Sequence, residues 1–333
     1  MPPTLVELFK GLAPPPSASS EGAELTASPV PGLEAHRVAR DSTGQPLLLV
    51  STAPGVGTLP PPVRLENLSV EHGVRCRIWQ GKRVVEEGMF TVLRCLSDDE
   101  AIQGHFLTVG GPFLACLGEH PAPTQVSRFL ETLVALFRAL SEPPRKSVQG
   151  LWAELYLITR ARDSRALVKA WHASPDERYD FSGGSQRIEV KCAVGRGRVH
   201  HFSLEQLTPP DMTVVLIASL CTERSGGGTS LRELLAKARA QLSGDPALLL
   251  RLESVVGGTL GESLSRALDE SYDLEMATQS LGFYEVDAVP RPPGPLPREV
   301  REVRFTADLT HIEAVDLALF TGAGGLFQAA ATS

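Results

Sequence analysis

The sequence predicts an α/β (α+β) protein: a β-rich N-terminal part followed by a mixed central sheet flanked by helices. Three observations predict it. Short apolar stretches broken by Pro, Gly and Ser dominate residues 1–120. From Thr124 onward apolar residues recur at three- and four-residue steps. Beyond Arg178, strand-like segments alternate with helical ones. With 333 residues, two domains is the default. We expect a β-rich accessory or recognition domain over 1–122 and a second domain over 123–333 that includes its leading helices, and the end of the first of those helices puts a domain boundary in Ser141–Ser147.

In the first part, Leu47–Val50, Val74–Trp79, Val84–Leu96 and Phe106–Val109 read as strands, and Leu12–Ser20 and Ala53–Pro62 as Pro-rich loops. Thr124 is the expected cap of a helix whose stripe is Val126, Phe129, Leu130, Leu133, Val134, Phe137 and Leu140, ended by Pro143-Pro144. A second helix is expected at about Ser147–Ala161, buried through Val148, Leu151, Trp152, Leu155, Ile158 and Thr159. Glu154 sits at the edge of that face, where a carboxylate is costly unless paired. After Ala166–Trp171, strands are expected at Arg178–Phe181 and Gln186–Ala193, joined through a Gly183-Gly184 turn. Met212–Cys221 reads as a buried strand, and Ser230–Gln241 and Ala247–Val255 as helices. Tyr272–Asp287 and Arg298–Ala307 read as late strands around a Pro-rich loop at Val289–Pro297, and Ser225–Gly228 as a mobile connection.

Composition narrows the function classes. Hydrophobic residues at 42% and charged residues at 21% exclude a wholly disordered or fibrous chain. The net charge of −7 excludes a uniformly basic nucleic-acid coat but not a local basic face. The segment Ser141–His201 holds eleven Lys/Arg against seven acids, +4, which leaves −11 for the rest. Cys76, Cys95, Cys116, Cys192 and Cys221 are odd in number and show no CxxC spacing, so neither a disulfide scaffold nor a cysteine zinc site is indicated. The start lacks a signal-peptide pattern, and the longest apolar run is about half of what a membrane helix needs. We expect a reduced, cytoplasmic protein without a membrane partner. Gly55-Val56-Gly57 is no phosphate loop, because no Gly-Lys-Ser/Thr follows, and the eight histidines form no HExxH. Asp308-Leu309-Thr310-His311 reads as a loop.

The informative stretch is Tyr179-Asp180-Phe181 followed by Ile188-Glu189-Val190-Lys191. Side chains alternate along a strand, so Ile188, Val190 and Cys192 share an apolar face and Arg187, Glu189 and Lys191 a polar one. A Gly183-Gly184 turn would set Asp180 opposite Arg187 and diagonal to Glu189, about 7–8 Å at the backbone. Two carboxylates and an ammonium would then converge. Hard oxygen ligands of that kind suit Mg²⁺ or Mn²⁺, and a lysine beside the ion could orient water and offset phosphoryl charge. The ordinary alternative for Glu-Val-Lys is a solvated hairpin face.

Together, the helix with Glu154, the strand with Asp180, the hairpin and Ile188-Glu189-Val190-Lys191 resemble the PD-(D/E)XK nuclease superfamily, in the branch associated with bacterial restriction and defence clusters. The likeness spans roughly Ser147–Cys221, and Tyr179 stands where the family name has Pro. It implies a restriction-endonuclease-like core and a Mg²⁺-dependent DNA endonuclease, with Mn²⁺ as substitute. By the same likeness Asp180, Glu189 and the Val190 carbonyl would hold the metal, Lys191 would position water and Glu154 would support the site. Gln206, in a short helix capped by Ser203, matches a polar residue that often lies beside the catalytic face; a solvated helix position is its plain alternative. Arg196, Arg198, His200 and His201 could contact DNA phosphate, or form an ordinary charged loop. DNA, a homodimer and other defence-system subunits are the expected partners. The rivals are a catalytically silent nuclease-like DNA-binding or scaffold subunit and a protein-interaction module.

Overall fold

The computed structural model describes residues 3–16, 23–53, 57–172, 177–294, 297 and 299–331. The Pro-rich segments Leu12–Ser20, Ala53–Pro62 and Val289–Pro297, and with them Gly55-Val56, lie partly outside the described residues. The chain forms two compact units: Met1–Pro144 with Gly244–Ser265, and Arg145–Ser243 with Arg266–Ser333.

In the first unit, helix α1 (Leu5–Lys10) precedes strands β1 (Ala23–Val30), β2 (Leu33–Arg40), β3 (Pro46–Val50), β4 (Val63–Arg64), β5 (Leu68–Gln80) and β6 (Arg83–Cys95). They pair in the order β1-β2-β3-β6-β5-β4, and β1 also pairs with β5 in parallel, so five strands close on themselves. Alternation along the strands puts Leu25, Leu47, Leu49, Cys76, Ile78, Phe90 and Val92 into one core. Helices α2 (Glu100–Leu117) and α3 (Pro123–Ala139) follow, and the returning helix Pro246–Leu260 packs on both.

Three expectations change here. Phe106–Val109 is helical, because Asp99 caps α2 and Phe106, Val109, Phe113 and Leu117 bury one stripe at helical spacing. The α3 cap is Ala122 rather than Thr124: Pro123 opens the helix and the Gln125 side chain accepts the Ala122 N–H at 3.0 Å. With Pro144 ending the first stretch of this unit, α3 falls in the first unit rather than with the residues that follow it.

The second unit carries α4 (Val148–Arg160), α5 (Ser164–Ala170), β7 (Phe181–Gly183), β8 (Gln186–Val194), β9 (Val199–Ser203), β10 (Val214–Thr222), β11 (Arg224–Ser230) and α6 (Leu231–Gln241). It continues with β12 (Ser271–Tyr272), β13 (Gly282–Glu285) and β14 (Arg304–Asp308), and a short helix, Gly325–Ala330, follows them. The central sheet is mixed, in the order β13-β10-β8-β7: β10 runs parallel to β8, and both outer pairs are antiparallel. Helix α4 packs on β8. Val215 and Ile217 of β10 join Phe202, Leu207, Tyr284 and Ala307 in a core with the β9–β14 ribbon.

Local chemistry explains the differences from expectation. Tyr272–Asp287 is interrupted by a helix, Leu274–Ser280, whose Asp273 cap accepts the Met276 N–H. Ser225–Gly228 lies within β11 as a bulge: Arg224 and Thr229 on either side of it both register with Tyr272 of β12. Arg178–Asp180 bends, and the strand begins only at Phe181. The hairpin turns through Gly184-Ser185 rather than Gly183-Gly184, with rungs Gly183↔Gln186, Ser182↔Arg187 and Phe181↔Ile188. Gly184 has φ +54° while Ser185 is not in the positive-φ region, the demand of a II′ hairpin turn. Asp180 is therefore not opposite Arg187; it lies in the bend before the first rung, where its carboxylate accepts the Val190 N–H. Replacing Gly184 with Val should cost about 1–2 kcal/mol, whereas Asn should be tolerated better, as urea unfolding of the two variants would show.

Candidate active site

Helix α4 places Glu154. Ser147 caps it through the Gly150 N–H, and every residue from Leu151 to Thr159 is buried, so the helix is enclosed all round rather than along one stripe. Glu154 is thus inside the unit, 2% exposed, and not at the edge of a face. Its carboxylate is satisfied on both oxygens. Oε1 accepts the Lys146 ammonium at 2.9 Å, and Oε2 accepts the Trp171 indole N–H at 2.5 Å and lies 3.2 Å from His172 Nε2.

Asp180 is brought to this group by a small closure. Trp171 bridges Phe181 in antiparallel fashion with their rings stacked, and the His172 N–H donates to the Asp180 carbonyl at 2.8 Å. Asp180 Oδ1 accepts from the Lys146 ammonium, and Oδ2 accepts the Val190 N–H at 2.8 Å. Lys146 Nζ also stands 3.3 Å from His172 Nε2. Glu154, His172 and Asp180, all buried, each offer a ligand atom within 4.8 Å of the others.

A second group adjoins the first along β8. Glu189, 5% exposed, accepts from Lys191 Nζ at 2.8 Å and from Gln206 Nε2 at 2.6 Å, both on Oε1. Gln206 is held by its own helix start: its Oε1 accepts the Ser203 N–H, and Ser203 Oγ accepts the Gln206 N–H. The Lys191 ammonium lies 5.2 Å above the Phe202 ring.

The electrostatics divide the acids. Burial works against ionised Glu154, but the His172 hydrogen bond and the Lys146 charge outweigh it and hold its pKa down at about 2. Asp180 goes the other way: burial, then the neighbouring Glu154 and Glu189 charges, push it well above the ordinary carboxylate range despite Lys146. The two directions belong together, since two carboxylates share one ammonium and a proton is easiest to keep on the one with the larger acidic field. Burial likewise opposes the Lys146 charge, yet Glu154 and Asp180 raise its pKa above that of an ordinary lysine.

A family model described as "Putative PD-(D/E)XK family member, (DUF4420)" matches residues 9–310. The chain belongs to this family. Neither the curated proteins nor the solved structures contain a match. Membership accords with the mixed sheet of the second unit and with the hairpin that carries Asp180, Glu189 and Lys191.

Within this PD-(D/E)XK protein, the expected residues gather unevenly. Asp180 and Glu154 meet in one group, Glu189, Lys191 and Gln206 in the next. Glu189 is outside the Glu154–His172–Asp180 set, and His172 is inside it. Arg198 turns inward instead, donating to Ser219 O and Oγ at 3.0 and 2.9 Å and to Ser280 O. His200 is 3% exposed, with Nε2 2.7 Å from Ser219 Oγ. Arg196 is exposed, and His201 Nδ1 lies 3.1 Å from Thr306 Oγ1 across the β9–β14 ribbon. Sequence reasoning missed Lys146, Trp171 and His172. The available signal was the buried Glu154, which obliges a cation and donors nearby. None of the five cysteines forms a disulfide, and among the described residues no helix is long and apolar enough to cross a membrane.

Burial, then the Lys191 and Arg198 charges, push His200 down to about 4. Its unfolded value is about 6.5, so between these values the unfolded chain binds a proton that the folded one refuses. Its contribution is therefore present above about pH 6.5 and lost as pH falls towards 4, on the order of 2–3 kcal/mol. The stability gap between wild type and His200→Gln should accordingly narrow from pH 7 to pH 4.5 in urea titrations; a constant gap contradicts it.

Proposed function

We propose that the second unit is a divalent-metal-dependent endonuclease that hydrolyses phosphodiester bonds in DNA, with Mg²⁺ as cofactor and Mn²⁺ as substitute. The observation that carries this reading is the position of Asp180, which joins the buried Glu154–His172 pair to the Glu189–Lys191 strand through the Val190 amide.

The donor set fits a divalent ion. Two carboxylates and an imidazole converge within 4.8 Å, hard oxygen donors with one nitrogen, as Mg²⁺ and more readily Mn²⁺ accept. Asp180 would be the central ligand, with Glu154 and His172, or Glu189 and the Val190 carbonyl, completing the protein's share. A bound ion would lower the pKa of its water and offset charge on the phosphoryl oxygens. Lys191 keeps its ammonium against Glu189 and Gln206, within reach of the same strand face, where it can orient a water or meet developing negative charge. Gln206 holds both partners of that pair in register. Arg196, exposed at the carboxyl end of β8, is available to a DNA phosphate. Arg198 and His200 act on the frame that carries it, through Ser219. A setting in bacterial restriction or anti-phage defence, in the cytoplasm and with a homodimer or other subunits as partners, follows from the resemblance of the motif. The β-rich N-terminal part would serve recognition.

One observation favours a second reading, a catalytically silent DNA-binding or scaffold subunit: the Lys146 ammonium already takes up a carboxylate oxygen of both Glu154 and Asp180. Cleavage assays decide. Asp180→Asn and Lys191→Ala should each lower Mg²⁺- or Mn²⁺-dependent nicking of plasmid DNA by about 10²- to 10⁴-fold with the circular dichroism spectrum retained. Variants that cut as well as wild type would remove the catalytic assignment, and a wild type that binds DNA without cutting would support the scaffold.

A further inference from the structure

The three groups able to ligate a metal all face one cation that belongs to the chain itself. Lys146 Nζ lies 2.9 Å from Glu154 Oε1, 3.3 Å from His172 Nε2 and in hydrogen-bond contact with Asp180 Oδ1. These are one atom from each member of the Glu154–His172–Asp180 set. An ammonium and a divalent ion cannot occupy the same small, buried space, because both need the same lone pairs and repel each other in a medium of low dielectric. The protein atoms around Lys146 Nζ are arranged as ligands around a cation.

Lys146 is also built to leave. It sits in a bend, outside helix α4, one residue before the Ser147 cap. Its side chain is 36% exposed, whereas the Glu154 and Asp180 side chains are 3% and 7% exposed. A four-carbon stem rooted in such a segment can return its ammonium to water while the acids stay in place. Glu154 rides on an enclosed helix and Asp180 is pinned by the Val190 N–H, so the ligands do not need to move with it.

We infer that Lys146 is an internal stand-in for the metal: its ammonium fills the place between Glu154, His172 and Asp180 until a divalent ion displaces it to solvent. The inference rests on the reading of those three residues as metal ligands. Metal loading is then an exchange of cations, and the empty pocket is never left with two uncompensated carboxylates. The same exchange makes the apparent affinity for metal weaker than the pocket's own affinity, by the fraction of molecules in which the ammonium has already left.

Mn²⁺ binding to the full chain, followed by titration calorimetry, tests this directly. If the ammonium occupies the place more than about nine-tenths of the time, Lys146→Met should bind Mn²⁺ at least about tenfold more tightly than wild type. Metal-free Lys146→Met should melt at a lower temperature than wild type and gain more from Mn²⁺. A wild-type measurement keeps the test sound if that variant folds poorly. Amine-reactive labelling read by mass spectrometry should modify Lys146 several-fold faster in saturating Mn²⁺ than in EDTA, while other lysines stay constant. Equal Mn²⁺ affinity in both proteins, weaker binding by the variant, or Lys146 labelling insensitive to Mn²⁺ would overturn the stand-in while leaving the metal site intact. Absence of Mn²⁺ binding in both proteins would overturn the metal reading together with it.

Discussion

A buried carboxylate has to be neutralised, and this requirement organises the second unit around Glu154. Its helix is enclosed on all sides, so the charge cannot reach water. Folding instead delivers an ammonium, an indole N–H and an imidazole to it, from Lys146, Trp171 and His172. The same ammonium then draws in Asp180, and Asp180 ties the group to β8. Remove Glu154 from this arrangement and the convergence of the other residues has no cause.

Such a cluster is poor evidence for stability. Taking two carboxylates and a lysine out of water costs several kcal/mol per ion before their attraction returns any of it. An apolar packing of the same volume would hold α4 against the sheet at least as well. The opposed pKa directions of Glu154 and Asp180 show that the compensation is incomplete, with one ammonium serving two acids. Acids kept in that condition are typical of sites that receive a cation or move a proton. The Glu189–Lys191–Gln206 group is closer to balance, since one carboxylate faces one ammonium and an amide.

Register is the second constraint. Because side chains alternate, a one-residue change in the hairpin would move Asp180 away from Glu189 and the Val190 amide. The turn at Gly184, with its positive φ, sets that register, and Gly183 is packed so that an added Cβ would meet Leu326 Cβ at 3.3 Å. The Ser203–Gln206 capping box plays the corresponding part for Glu189, since the same amide that closes the start of a short helix also reaches the Glu189 carboxylate. Local backbone demands and the site's chemistry are thus met by the same residues.

What could be read from residue order alone was whatever is local. The Ser203 cap, the helix expected from about Ser147, the apolar β10 and the pattern of Asp180, Glu189 and Lys191 depend on spacing within a few residues, and spacing is visible in a sequence. The split into a β-rich part and a mixed-sheet part came from the same signals. Reading failed where two local signals compete: Phe106–Val109 suits a strand until the Asp99 cap and the wider helical stripe are counted, and a Gly-Gly pair permits two turn positions one residue apart. It failed again where partners come from distant segments. Lys146 is eight residues before Glu154 and thirty-four before Asp180, and the inward turn of Arg198 depends on Ser219 and Ser280. Such pairings are chosen by which burials can be compensated at once, a property of the folded unit as a whole and of no single stretch of the chain.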